Sequence, residues 1–410
     1  MDIERLFKVF EDTAYVRMGG TPEELRAAEY LKAACEEFGF PARIEGFRVP
    51  MGEVEESRVE IDGREIPCRG FYCCGSGEAE GELYYMPASD RLSIEGAKDK
   101  IVLLDTSGVG FFTYKDLMEA GAKAILFRYG NANYPNDDID LRDLREHVVG
   151  EERKVLCAMI HTRDAQELVM NGAKRARITI RQREYDGESR NVIAERAGRR
   201  KEFITLTAHY DSTSLSQGAY DNMSGCVGLL GVMQELAGCD LNYGLRFVFC
   251  GSEERGLLGS KAYCRDHGDE LEATALNINL DMIGTALGKF IACVSAEEKL
   301  AGYISYMGYE LGFPVSARIG VYSSDSTPFA DKAVPALSFA RLASGEAAPI
   351  HCRYDTMAVL SKAQLERDIR FITEFTRRMA DSVLCPVSRE MPEKVKKELD
   401  EYLARKRKEQ

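Results

Sequence analysis

The chain is notable first for what is missing from it. It has no tryptophan, only five histidines in 410 residues, and no CxxC pair among its twelve cysteines. Several of those cysteines lie inside apolar runs, such as Cys250 in LRFVFCG and Cys293 in FIACV. They read as buried, reduced thiols rather than a disulfide framework. No apolar run approaches the length of a membrane span. The N-terminus, MDIERLFKVFEDTAYVRMGG, lacks a charged-then-apolar leader with a small-residue cleavage site. No basic stripe runs through the body of the chain, and its 54 basic against 67 acidic residues leave a net charge of −13. That balance argues against a nucleic-acid partner. There is no internal repeat and no low-complexity stretch. A cytoplasmic protein is the expectation, with no membrane partner.

With 45% apolar and 30% charged residues, the composition is that of a globular protein, and its length suggests two domains. Segments 3–17 and 22–38 read as helices, the second opened by Thr21-Pro22-Glu23-Glu24, a cap, a first-turn proline and acids at the positive end of the dipole. From 52 to 182 short strand-like runs dominate (ELYYMP, KIVLLDT, AILFRYG, KVLCAMI, ARITIRQ), which suggests a small β-rich module. Within it, 129–152 is polar and reads as a long loop with a helical part. From about 190 strands and helices alternate: FITLTAHYD, LRFVFCG, ALNINLDM and PALSFAR as strands, SGCVGLLGVMQELAG and the stretch 361–384 as helices. The expected fold is α/β, a mixed, mostly parallel sheet flanked by helices on both faces. The expected domains are 1–51 with 183–390, an insertion at 52–182, and a charged helical tail at 391–410 whose short basic end reads as solvated.

Five short segments carry the chemistry: AHYDS (208–212), AYDNMSG (219–225), CGSEERG (250–256), NLDMIG (279–284) and IHCRYDT (350–356). Four of them follow a run readable as a strand, and in open α/β sheets sites gather at the carboxyl ends of strands. Together His209, Asp221, Glu254, Asp281 and His351 supply two imidazoles and three carboxylates. That set suits zinc, cobalt or manganese. Asp221, used as a bridge, would let the remaining four divide two and two between a pair of ions, which would polarise a carbonyl and acidify a water. Asp211 lies two residues beyond His209, on the same side of an extended strand, where a carboxylate orients a ligating imidazole. Asp355 is a candidate for similar work near His351. Glu253, beside the ligand Glu254, is placed to act as general base and acid.

The order HxD…DN…EE…D…H, with these segments and spacings, resembles the zinc aminopeptidases of peptidase family M28 over roughly 190–385. The resemblance implies two zinc ions on the five ligands, Glu253 as general base, and a cis peptide at Asp221-Asn222. It implies a peptide substrate cut at its N-terminal residue. The run GAKDKIVLLDTSGVGFFTYKDLMEAGAKAILF is similar to a protease-associated domain inserted in that family, a module that covers the site or spaces it. In SSDSTPFADKAVPAL, Ser326 stands where the family often has histidine, which puts the pocket wall in doubt. Tyr322, just upstream, is by analogy a donor to the oxyanion. Three alternatives stay open. One is a carboxypeptidase or dipeptidase of the same family, using Arg341 or Arg353 to hold a free carboxylate. The others are a glutaminyl-cyclase-like transferase running on one zinc, and a binding protein on a peptidase scaffold. The sequence also leaves open whether the chain forms a homo-oligomer.

Overall fold

The structure, a computed structural model, describes residues 1–134 and 138–407. It divides into two compact units, residues 1–48 with 188–410 and residues 49–187. The chain leaves the first unit within the strand Ala42–Ile61 and returns to it within Arg175–Arg196.

The first unit is built on a mixed sheet. Its strands run in the order Ser316–Ile319, Lys289–Ser295, Ala336–Leu342, Thr274–Leu280, Phe203–His209, Gly244–Cys250 and the last residues of Arg175–Arg196. The four central strands are parallel, pairing Leu280 with Phe339, Asn279 with Thr207, and Cys250 with His209. Antiparallel neighbours flank them. Central strands are buried on both faces, which explains unbroken runs such as GLRFVFC, buried at all seven positions. On one face lie Ile3–Asp12, Pro22–Glu37, Ser224–Leu236 and Lys362–Ala380, which pack with the sheet into a single core. The capping expected for the second helix is present, with Thr21 accepting from the Glu24 N–H. On the other face Phe329, Tyr263, Val248 and Ile193 form a smaller core.

In the tail, the helix Glu393–Tyr402 buries Val395 and packs Leu399 into that second core, so its charged faces are the outside of a packed amphipathic helix, and Arg405 and Lys406 of the basic end are exposed. Residues 408–410 of the tail, and 135–137 of the polar segment 129–152, lie outside the described residues.

The second unit has its own core, and strands outweigh helices in it. Gly77–Met86, Ile101–Leu104, Ala124–Tyr129 and Leu156–His161 form a parallel array, with Phe111–Ala120 and Thr162–Met170 as connecting helices. Among the described residues no helix is long and apolar enough to cross a membrane.

Candidate metal centre

The carboxyl ends of the parallel strands place the five proposed donors. His209 is the last residue of Phe203–His209, Glu254 follows Gly244–Cys250, and Asp281 follows Thr274–Leu280. Asp221 lies in the irregular turn Ala219–Met223 that leads into the helix Ser224–Leu236, and His351 is in the loop after Ala336–Leu342. Donor atoms of His209, Asp221 and Asp281 all lie within 4.8 Å of one another, and so do those of Asp221, Glu254 and His351. Asp221 belongs to both groups. Its Oδ1 lies 3.2 Å from His209 Nε2, and its Oδ2 lies 2.9 Å from His351 Nε2. His351 Nε2 is also 3.1 Å from Glu254 Oε1, and His209 Nε2 is 3.9 Å from Asp281 Oδ1.

This donor set fits divalent cations. Three donor carboxylates and Glu253 are gathered where water is nearly excluded, and such a cluster requires positive charge. Burial opposes a charge on His209, yet the carboxylates of Glu253, Asp211 and Asp221 outweigh it and raise the imidazole pKa well above its ordinary value. Burial likewise opposes ionisation of Asp221, but the two imidazoles hold it below the carboxylate range. Asp281, where burial prevails, is pushed up to about 8. Neutral imidazoles and ionised carboxylates around metal ions relieve the same imbalance without protons.

Main-chain geometry supports the donors. The Asp221-Asn222 peptide is cis, as the resemblance implied. Asn222 was not assigned a role from the sequence, and its side chain pins the neighbouring strand end. Its Nδ2 donates to Leu280 O (2.9 Å), while its Oδ1 accepts from Met282 N and Gly225 N, both at 2.9 Å. Asp281 is thus held on both sides by the residue after Asp221. Gly225 permits the approach, since a Cβ there would sit 2.4 Å from Leu280 O. Ser252, Met282 and His351 adopt positive φ (54°, 64° and 57°), each at or beside a donor, where a fixed framework must hold an unfavourable backbone.

Asp211 is fully buried, with its Oδ1 3.4 Å from His209 Nδ1. It also accepts from the backbone N–H groups of Glu253 (2.9 Å) and Glu254 (3.2 Å), so one side chain lies beside His209 and holds the turn that carries both glutamates. Asp355 grips the turn of Asp221: it accepts from Tyr220 N (2.7 Å), Asp221 N (3.2 Å) and Ser216 Oγ (3.1 Å). Its carboxyl is lifted by burial to about 7.

Glu253 stands beside the donors with its Oε2 3.8 Å from His209 Nε2. Burial, with the Glu254, Asp325 and Asp281 carboxylates, outweighs the pull of His209 and lifts its carboxyl well above the usual range. Burial and the charges of Asp281 and Asp221 push the Tyr322 phenol up as well, so it stays a protonated donor near the cluster. Ser326 is buried in a hydroxyl cluster with Ser324 (2.9 Å) and Ser338 (2.8 Å), so it is a packed residue rather than an open wall. Arg341 is committed elsewhere. Its guanidinium forks onto the buried Asp368 (2.6 Å and 2.9 Å) and donates to Gly288 O. The carboxylate clamp it offered to a carboxypeptidase is therefore spent, while Arg353 is exposed in the loop after His351. Asp325 was also missed in the sequence: it is buried below the cluster, accepting from Ser260 Oγ (2.5 Å).

A parallel α/β sheet with paired acidic and imidazole donors at its strand ends is the framework of a metallohydrolase. Residues 191–376, which hold all five donors and Glu253, match the model of peptidase family M28. Aminopeptidase YwaD of Bacillus subtilis is 25% identical over 339 residues, covering 79% of this chain and 71% of its own length. Leucine aminopeptidase 2 of Arthroderma otae is 33% identical over 196 residues, but that match covers 47% of this chain and 38% of the fungal protein. A zinc aminopeptidase structure from Bacillus subtilis superposes with a TM-score of 0.77 at 20% identity, covering 96% of this chain and 98% of that one. An aminopeptidase from Aneurinibacillus sp. strain AM-1 gives 0.74 at 21%, covering 94% and 96%. At these identities the two structures establish the fold.

Proposed function

We infer that the protein is a metal-dependent aminopeptidase that hydrolyses the N-terminal residue from peptides, with two zinc ions at its centre. The observation that carries the reading is the shared carboxylate: Asp221 turns one oxygen to His209 and the other to His351, each imidazole having a further carboxylate at hand. His209 with Asp281 would hold one ion, and His351 with Glu254 the other. Bound there, divalent ions supply Lewis acidity to the peptide carbonyl and lower the pKa of water. The chain's own residues do the rest. Glu253, its carboxylate poised toward higher pKa, takes the proton of the attacking water and returns it to the leaving amine as the C–N bond breaks. Asp211 fixes the turn from which Glu253 projects. Tyr322 is the candidate donor to the developing oxyanion.

Names of relatives that read aminopeptidase, and the engagement of Arg341 with Asp368, favour an exopeptidase acting at the amino end over one reading a free carboxylate. We read the 49–187 unit as a protease-associated-type module, on the strand, loop, helix and strand of 101–129. The twelve unpaired thiols suit a reducing, cytoplasmic compartment.

The test is metal content per chain, measured beside the cleavage of matched peptide amides with free and acetylated N-termini. Zinc, cobalt and manganese would each be returned to chelated protein. Two ions per chain with cleavage of free-amine substrates alone is the expected result. A single ion, or cleavage confined to substrates with a free carboxylate, would overturn the assignment.

A further inference from the structure

The N-terminal segment lies outside the part matched to the family, yet it sends one charged side chain beneath the metal centre. Arg17 is 0% exposed. Its guanidinium is embraced by main-chain carbonyls from two stretches of chain. Nε donates to Tyr210 O (2.8 Å), Nη1 to Thr13 O (2.8 Å), Tyr15 O (2.9 Å) and Gln217 O, and Nη2 to Gly218 O (3.1 Å). The backbone of Arg17 adds two more links: its N–H donates to Ser212 Oγ (2.9 Å), and its carbonyl accepts from Ser212 N (3.2 Å).

The accepting carbonyls are not scattered. Tyr210 stands between the ligand His209 and the orienting Asp211, while Gln217 and Gly218 open the turn that delivers Asp221. One planar cation therefore closes the loop 210–218 at both ends, and each end is within a few residues of a donor to Asp221's shared site. Asp355 holds the same loop from its other side through Ser216, Tyr220 and Asp221. Burying a guanidinium is costly: burial pulls the Arg17 pKa below its ordinary value, and carbonyl dipoles with the through-space charges of Asp211 and Asp355 offset part of that cost. A lysine could not replace it, because a point charge with three donors does not reproduce a fork that engages five acceptors. The fit is close on both sides: a Cβ on Gly218 would fall 2.9 Å from Arg17 Nη2.

We propose that Arg17 is a positioning residue for the metal centre, fixing the spacing of His209 and Asp221 through the carbonyls of Tyr210, Gln217 and Gly218. This rests on reading Asp221 as the shared metal ligand. It makes metal affinity, and not only folding, depend on a residue of the N-terminal segment.

The experiment compares full-length wild type, R17K, R17M and R17A. Each is checked for folding by circular dichroism and gel filtration, then titrated with zinc against a competing chelator. Cobalt is added in parallel to read the visible absorption of the bound ion. The expected result is folded R17K and R17M with zinc affinity weakened by at least about tenfold, the range seen when groups supporting metal ligands are removed. The cobalt spectrum shifts, and kcat falls more than KM changes. Guanidinium at millimolar concentration should restore affinity to R17A, while equal urea should not. If R17A and R17M do not fold, R17K carries the comparison. Folded variants with wild-type zinc affinity and an unchanged cobalt spectrum, whatever their thermal stability, would overturn the proposal and leave Arg17 a structural residue. A wild-type protein that binds no zinc would instead overturn the reading of the centre itself.

Discussion

Glu253→Gln separates chemistry from metal binding. The substitution keeps side-chain volume and leaves the five donors untouched, and the Glu253 N–H remains tied to Asp211 Oδ1 at 2.9 Å. What it removes is a buried carboxylate that can take and return a proton, standing 3.8 Å from His209 Nε2. A positioned general base contributes about 10²–10⁴ in rate, or about 3–5 kcal/mol of barrier. Because that group acts in the transition state, kcat should fall by this factor while KM changes little. Metal content should stay at the wild-type level. The assay is steady-state hydrolysis of an amino-acid amide beside elemental analysis of the same sample. The low-pH limb of the wild-type rate profile, set by protonation of the base, should disappear from the residual activity. A fully metallated Glu253→Gln enzyme within about tenfold of wild-type kcat would refute the assignment of the base.

Stripping the metal with a chelator should lower the melting temperature as well as abolish hydrolysis, because ions that bind only the folded chain stabilise it by mass action; equal melting of apo and reloaded protein would count against a structural link. Glu24 is fully buried, and burial lifts its carboxyl to about 8, so the folded state holds this proton between about 4.5 and about 8 and stability falls as pH rises through that window. Glu24→Gln should flatten that fall by up to about 1.4 kcal/mol per pH unit, measured by urea unfolding, and parallel wild-type and variant curves would contradict it. Leu399→Ala removes a buried contact from the C-terminal helix and should cost about 2–5 kcal/mol in thermal or urea unfolding; a change under about 0.5 kcal/mol would mean that the helix is not docked in solution.

The catalytic unit was largely legible because its core strands and helices announce themselves by different periods. GLRFVFC and FITLTAH are apolar or β-branched on both faces, as a doubly covered parallel sheet needs, and the structure buries nearly all of both. The donors were legible for a related reason: strand ends are where such sheets converge, so residues over a hundred positions apart could be predicted to meet. The edge strand Ser316–Ile319 was less visible. Four residues paired on one side only leave too short a pattern to distinguish from loop. The docking of the tail helix was not legible, because its two buried residues, Val395 and Leu399, are spaced by one helical turn among charges, a stripe too narrow to reveal whether a partner surface exists.

What the sequence conceals at the site is what depends on main-chain acceptors. Asp211 and Glu253 sit in recognisable motifs, but the Arg17 guanidinium bonds only to carbonyls, which every residue possesses, so nothing in its partners marks it. Asn222 is similar: its three bonds go to Leu280 O, Met282 N and Gly225 N, and only the fold brings those groups together. Asp355, a carboxylate close in sequence to His351, was expected to work beside that imidazole, whereas the structure shows it on the Asp221 turn. Its place is set by two backbone N–H groups of the Asp221 turn, which compete well for a buried carboxylate. The donor types can thus be read from side chains alone, whereas the spacing between donors is set by backbone groups. Substitutions at Arg17, Asn222 and Asp355 are therefore expected to shift metal affinity while leaving the ligand motifs intact.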